Sequence, residues 1–443
     1  RSLPALASSV VLGVCLFAAP SAQAIALDST FGTGGTLFTP ASETLADRYQ
    51  AATNGPNNTT YHAGYVNVGA TDRAFFVTKL KADGTLDTTF GTNGYAIHNL
   101  VSAFTTPPVG ATPSGSAESA KGIAVQANGK IVVVGVAETI QDGTAADSRD
   151  QDLYVIRLNT DGSLDSDFGA AGVRRFSGSN GLPAPAVNPT PTPAVTPSTP
   201  TAPTITADQA WGISVRGNDK IVLTISKGTD SGDIDGRTDR DLGAVQLTAD
   251  GAIDTTFGTN SSGAVYARTP YISEAARGNA LDADGKVVVA GYGALGGTGG
   301  SNRPSLPRFT ENGVLDTTFG GDSAGTTSGT QNPANFPVPG VPGVASSAFG
   351  GAVAEAYAIA KSGSGYAVGA YGRNTGTQNR GMMYRFDNDG HWDTTWGDSN
   401  GLTFFPGTAA DAIRDFTAVS NGFVGAGSRG TDAALFVAKT DGT

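Results

Sequence analysis

Few side chains in this sequence are equipped for chemistry, and those few recur at one spacing. When the starts of six candidate first strands are aligned, Arg48, Lys121, Trp211, Arg277, Ala356 and Asp415 share a column. Glu118, Asp208 and Glu274 stand three residues ahead of Lys121, Trp211 and Arg277, and Glu355 lies beside Ala356. Charges of both signs are therefore expected around one opening. Arg48, Lys121 and Arg277 suit a small polar or anionic ligand, with Trp211 as a stacking platform. The same residues suit ion pairs between neighbouring units of the fold better still, because every such rim must satisfy its charges. Glu118, Asp208, Glu274 and Glu355 also allow a hydrolase or lactonase, because carboxylates gathered from distant positions leave no spacing signature.

A second cluster, GTDSGDIDGRTDRD at 228 to 241, offers Asp230, Asp233 and Asp235, with Asp239 and Asp241 behind them. These are oxygen ligands of the kind calcium takes, but no twelve-residue loop ending in Glu is present, so a solvated acidic loop fits as well. No organic cofactor is implied, and calcium is the one metal ion the composition suits. The three histidines, His62, His98 and His391, have no partner at motif spacing. No G-x-S-x-G, H-E-x-x-H or phosphate loop occurs. The balance favours a binding module over an enzyme.

What must position these residues is a repeat. DGTLDTTFG (83 to 91) returns as DGSLDSDFG (161 to 169), DGAIDTTFG (250 to 258), NGVLDTTFG (312 to 320) and DGHWDTTWG (389 to 397). Around each copy stand short runs that read as strands: AKGIAVQANGKIVVVGVAE is a pair joined at Asn-Gly, DLYVIRL a third strand and GVRRFS a fourth. Six such units follow one another, the first worn. Four antiparallel strands per unit, repeated, predict an all-β fold, a six-bladed β-propeller in which blades bury their faces against each other. Within the nonapeptide, Asp83-Gly84 should turn the chain, Asp87 should accept backbone N–H groups of the following turn, and Leu86 and Phe90 should be the apolar payload. Phe90 is expected to wedge between blades.

Composition agrees: 62 Gly, 23 Pro and 15% charged residues suit turns and strands rather than long helices. Residues 1–24, with the apolar run ALASSVVLGVCLFAA and Ala22-Gln23-Ala24, read as a secretory signal peptide. Cys15, the one cysteine, would leave with it, so no disulfide is expected. The net charge of −11 disfavours nucleic acid and anionic lipid as partners. No later segment is apolar enough to span a membrane, and an extracellular, periplasmic or cell-surface location follows, with a glycan or protein as the expected ligand.

The L-D-x-x-F-G-x-x-G signature after a D-G turn, with a G-K-I-V-V-x-G strand upstream, resembles the delta-60 repeat family of secreted and surface bacterial proteins. That resemblance covers most of residues 25–443 and implies propeller-like repeats of extracytoplasmic origin, with little about activity. The chain ends in AKTDGT where L-D-x-x-F-G should follow, while IALDSTFGTGGTLF at 25 to 38 has no D-G turn before it. Residues 25–40 are therefore expected to supply the outer strand of the last blade. Long excursions, including the Pro/Thr-rich stretch 182–204, all follow second or fourth strands, which predicts one loop-rich, working face.

Overall fold

A computed structural model describes residues 47–69, 72–100, 118–140, 149–176, 209–228, 240–258, 262–267, 269, 271–295, 302–320, 343–345, 354–372, 380–393, 395–397, 402–404, 412–419, 422–429 and 432–439. The expected signal peptide, the closing segment 25–40 and the 182–204 stretch lie outside them, as do most of the long excursions. Among the described residues every regular element is a strand except one 3₁₀ turn at Pro56–Asn58.

The strands form antiparallel meanders in chain order. The first sheet is β1 (Asp47–Asn54), β2 (Thr60–Asn67), β3 (Arg73–Leu80) and β4 (Tyr95–His98). The second is β5 (Ser119–Val125), β6 (Ile131–Ile140), β7 (Arg149–Leu158) and β8 (Val173–Phe176), and the third β9 (Gln209–Val215), β10 (Ile221–Gly228), β11 (Arg240–Leu247) and β12 (Ala264–Tyr266). The fourth is β13 (Tyr271–Leu281), β14 (Val287–Leu295), β15 (Asn302–Phe309) and β16 (Val344–Ala345). The fifth is β17 (Ala354–Ser362), β18 (Gly365–Gly372), β19 (Arg380–Asp387) and β20 (Leu402–Phe404). The last described sheet has three strands, β21 (Ala412–Val419), β22 (Gly422–Arg429) and β23 (Asp432–Lys439). First strands touch in order, β1 to β5, β5 to β9, β9 to β13, β13 to β17 and β17 to β21, and β21 touches β1.

The nonapeptides fill the spaces between sheets. Phe90 is buried with Phe75 of the first sheet and Ile131 and Ile156 of the second; Phe168 joins the second and third sheets, Phe257 the third and fourth, Phe319 the fourth and fifth. Trp396 does the same between β19 and β21, beside Met383 and Phe416. A sheet with two apolar faces cannot be buried alone, so each aromatic stabilises two sheets at once, by about 3 kcal/mol relative to truncation to Ala.

The aspartate inside the nonapeptide holds this wedge in place. One carboxylate oxygen of Asp87 accepts the N–H and hydroxyl of Thr89, at 3.2 and 2.6 Å, and Asp254, Asp316 and Asp393 hold Thr256, Thr318 and Thr395 in the same way. The other oxygen meets cations from the neighbouring hairpin and third strand. Lys130 and Arg157 both lie 2.6 Å from Asp165, and Lys286 and Arg308 both 2.9 Å from Asp316. The Lys of the G-K turn and the basic residue of strand three thus have one job, which is to neutralise a buried Asp.

Candidate functional site

Each first strand carries a β-bulge near one end. In β1 the register shifts between Tyr49 and Ala51, in β5 between Ala120 and Gly122, and in β17 between Ala356 and Ala358. The same irregularity lies between Ala210 and Ile213 in β9, Ala276 and Asn279 in β13, and Ile413 and Asp415 in β21. A bulge adds one residue and re-aims its side chain. The bulged positions are Gln50, Lys121, Trp211, Arg277, Tyr357 and Arg414.

Just after the bulges of β1, β5, β9, β13 and β17 comes a small residue, because neighbouring first strands approach closely there. A Cβ on Gly122 would lie 2.6 Å from the Trp211 carbonyl oxygen, and one on Gly212 would lie 2.9 Å from the Arg277 carbonyl oxygen. A Cβ on Gly278 would lie 3.5 Å from the Ala358 Cα. Close strands bring successive bulged side chains into contact. Lys121 Nζ donates to Gln50 Oε1 at 3.1 Å and sits 4.4 Å from the centre of the Trp211 indole. Gln50 in turn donates to Ser119 Oγ at 2.9 Å. The Arg277 guanidinium lies 4.5 Å from Trp211, 4.9 Å from Tyr292 and 5.1 Å from Tyr357. It donates to the Ala276 carbonyl and the Tyr292 hydroxyl, both at 2.7 Å.

Among the described residues, Glu118, Glu274 and Glu355 fall in no group of three metal-type ligands. Glu118 and Glu274 are fully buried, and each accepts a backbone N–H from the preceding sheet, Leu100 to Glu118 at 3.2 Å and Leu242 to Glu274 at 3.3 Å. Glu355 accepts from Asn302 of the preceding sheet at 2.6 Å and from the Tyr357 hydroxyl at 2.7 Å. These carboxylates clamp sheet to sheet. Asp208 lies outside the described residues, as do Asp230, Asp233 and Asp235. Among the described residues one group of three metal-type ligands lies within 4.8 Å, Asp387, Asp389 and His391, at the fifth nonapeptide. It is a turn in which Asp387 accepts the backbone N–H of Asp389 and His391, at 2.9 and 2.8 Å.

The column read from the sequence holds in three sheets and slips in the other three. Lys121, Trp211 and Arg277 are bulged and linked through the indole. In β1 the bulged residue is Gln50, two positions past Arg48, whose backbone pairs with Tyr65. In β17 it is Tyr357 instead of Ala356, which is buried between sheets. In β21 it is Arg414 rather than Asp415. A bulge moves the count by one residue, and no apolar alternation reports it. The readable signal was the small residue after each bulge: Ala51, Gly122, Gly212, Gly278 and Ala358.

Asp415 occupies that small-residue position in β21. Burial pushes its carboxyl up to about 6, against opposing backbone hydrogen bonds from Phe416 and from Ala52 of β1. His62 and His98 are both lowered by burial, and His98 Nε2 lies 3.1 Å from the Gly162 carbonyl oxygen, a contact between sheets.

Among known proteins, residues 56–90, 126–168 and 283–319 match a β-propeller family described as a domain of unknown function, DUF5122. No curated protein matches. The fold is similar to an ulvan lyase of a polysaccharide lyase family, at 10% identity and a TM-score of 0.47, over 88% of this chain and 78% of that one. A protein of unknown function from Dyadobacter fermentans (10% identity, TM-score 0.43, 89% and 94% coverage) and a glucose dehydrogenase (10%, 0.39, 89% and 97%) are also similar. At such scores these likenesses carry no argument about activity. No helix among the described residues is long and apolar enough to cross a membrane. The consecutive four-stranded antiparallel sheets and the three matched segments support a β-propeller repeat fold.

Proposed function

We propose that the chain is an exported six-bladed β-propeller acting as a binding module, and that its ligand meets the ring Gln50, Lys121, Trp211, Arg277 and Tyr357. The observation that carries this is the repeated bulge. Sheets that otherwise differ in loop length set a bulged residue at the same place, and from Gln50 to Tyr357 these side chains are polar, cationic or aromatic. Bulges re-aim side chains next to functional sites, and a rigid scaffold presenting such groups is how binding surfaces are built. The cyclic contacts of the first strands support the six-bladed reading, with residues 25–40 as the fourth strand of the last blade. The resemblance to delta-60 repeats supports a bacterial extracytoplasmic setting.

The hydrolase reading has less behind it. One oxygen of Glu118 and one of Glu274 accept a backbone N–H from the preceding sheet, and Glu355 accepts from Asn302 of the preceding sheet and from Tyr357 of its own strand. The test is a screen of residues 25–443 against a glycan array, calcium, and ester and lactone panels, repeated with Trp211→Phe and Lys121→Gln. Binding that the two substitutions weaken upholds the proposal. Turnover of an ester or lactone, or binding indifferent to both substitutions, overturns it.

A further inference from the structure

The ring sets two cations, Lys121 and Arg277, against one indole. The chain is acidic, at −11. At the nonapeptides, seven cations of the G-K turns and third strands meet carboxylates: Lys79 with Asp87, Lys130 and Arg157 with Asp165, Lys220 with Asp254, Lys286 and Arg308 with Asp316, Arg385 with Asp393. Arg277 breaks this pattern. Its contacts are three aromatic rings, one carbonyl and one phenol hydroxyl, and among the described residues it bonds to no carboxylate.

The donor count sharpens the contrast. A guanidinium carries five N–H donors. In Arg157 and Arg308 the Nε–H goes to an aspartate, at 2.6 and 2.9 Å. In Arg277 the Nε–H is buried and has no hydrogen-bond partner. Two of its five donors are used and the Nε–H is enclosed, so one N–H on each terminal nitrogen remains for a ligand. Aromatic rings engage the face of a guanidinium and leave its edge, the part that recognises carboxylates in pairs of hydrogen bonds. Trp211, Tyr292 and Tyr357 therefore fix the orientation of Arg277 without neutralising it. Lys121 brings a second positive charge to the same indole. Arg277, with no carboxylate bonded to it among the described residues, is the group of this pair that can receive an anion.

We infer that the ring recognises a carboxylate group on a small polar ligand, with Arg277 as the fork that receives it and Lys121 as the second charge. This rests on the reading of the ring as the binding site. The carboxylate belongs to an acidic sugar or to a simple organic acid, and the two sources have the same chemistry at Arg277.

Titration of residues 25–443 at low ionic strength with galacturonate, succinate and galactose, followed by tryptophan fluorescence and calorimetry, tests it. Galacturonate should bind, galactose should not, and added salt should weaken the complex. Arg277→Gln should reduce affinity about tenfold or more, since hydrogen bonds to a charged group are lost, and Lys121→Gln should reduce it less. Arg277→Lys, which keeps the charge but not the fork, is the check if Arg277→Gln melts early; it too should bind weakly. Succinate binding as well as galacturonate assigns recognition to the carboxylate alone, and succinate failing assigns it to an acidic sugar. Galactose binding equally well, and lost on Trp211→Phe, overturns the anion assignment while leaving the site in place. Binding of no probe, or binding insensitive to Arg277 and Lys121, overturns both.

Discussion

The backbone N–H of Gly91 donates to the carbonyl of Asp161, 2.6 Å away, and so ties the last residue of one nonapeptide to the first residue of the next. The same bond runs from Gly169 to Asp250 at 3.1 Å, from Gly258 to Asn312 at 2.8 Å and from Gly320 to Asp389 at 2.8 Å. Five sheets are thereby joined head to tail along one face. This is why the letters repeat so closely. A residue in one copy has its partner in another copy, so each copy must present both halves of the joint.

The second residue of each nonapeptide is held to Gly for two reasons at once. Gly313 has φ +73°, and a Cβ there would lie 2.4 Å from the Gly258 nitrogen and 2.9 Å from the Phe257 ring. Gly313→Ala should therefore lose the Gly258 to Asn312 bond as well as strain the backbone, at a combined cost of about 2 to 4 kcal/mol. Gly363, in the turn between β17 and β18, has φ +51° with nothing within 4 Å. Gly363→Ala should cost about 1 kcal/mol, the backbone term alone. Urea unfolding compares the two, and equal losses would sink the account of the joint.

Acid should loosen this face first. The Thr89 hydroxyl and then Lys79 outweigh desolvation and hold Asp87 at about 2. For Asp316, burial opposes ionisation, but Thr318, Lys286 and Arg308 together bring it to about 2 as well. Asp254 is lowered further, its desolvation outweighed by Lys220, Thr256 and Gln246. Folded values below the unfolded 3.8 mean stability that is present above pH 4 and lost as pH falls from about 4 to 2. Each of Asp87 and Asp316 contributes at most about 2 kcal/mol in this way. Asp316→Asn at neutral pH should cost about 3 kcal/mol, because Arg308 keeps its burial and loses its counter-charge. Urea midpoints measured from pH 5 to 2 should fall for the native chain and fall less for the variant.

Much of this was legible in the residues, for physical reasons. The nonapeptide is a local device of turn, cap and aromatic, so its spacing survives in sequence, and Phe90, Phe168, Phe257, Phe319 and Trp396 are all buried between sheets as expected. The pairing of Lys130 and Arg157 on Asp165 was hidden, because it joins three separate strands and turns. The ring was half legible: Lys121, Trp211 and Arg277 keep step, whereas Gln50 and Tyr357 carry no charge to mark them. The bonds that Glu118 and Glu274 accept from the preceding sheets were not legible, because Leu100 and Leu242 lie far from them in sequence.

Asp415 should give the joint between last and first sheets the opposite pH dependence. Its carboxyl is pushed up to about 6 by burial, so the folded chain holds the proton more tightly than the unfolded chain, whose value is 3.8. Its contribution to stability is then largest below pH 4 and declines as pH rises from about 4 to 6. The protection factor of the Ala52 amide, with the base-catalysed rise of intrinsic exchange divided out, should fall over that window, and Asp415→Asn, which cannot ionise, should flatten the dependence. A protection factor at Ala52 indifferent to pH between 4 and 6 would show that the Asp415 carboxyl does not govern this joint.

Removing residues 25–40 tests how the ring is finished. Every other sheet has a fourth strand on its third, as Met382 to Tyr384 of β19 has Leu402 to Phe404, while β23 has β22 as its one neighbour among the described strands. An edge strand of this kind exposes unpaired backbone groups and the apolar faces beside it. If residues 25–40 cover that edge, a chain beginning at 41 should melt several degrees lower than one beginning at 25 and should associate more readily, as seen by scanning calorimetry and light scattering. A synthetic peptide of residues 25–40 added back in excess should restore part of the loss. Identical melting of the two chains would mean that the last sheet is complete without that segment.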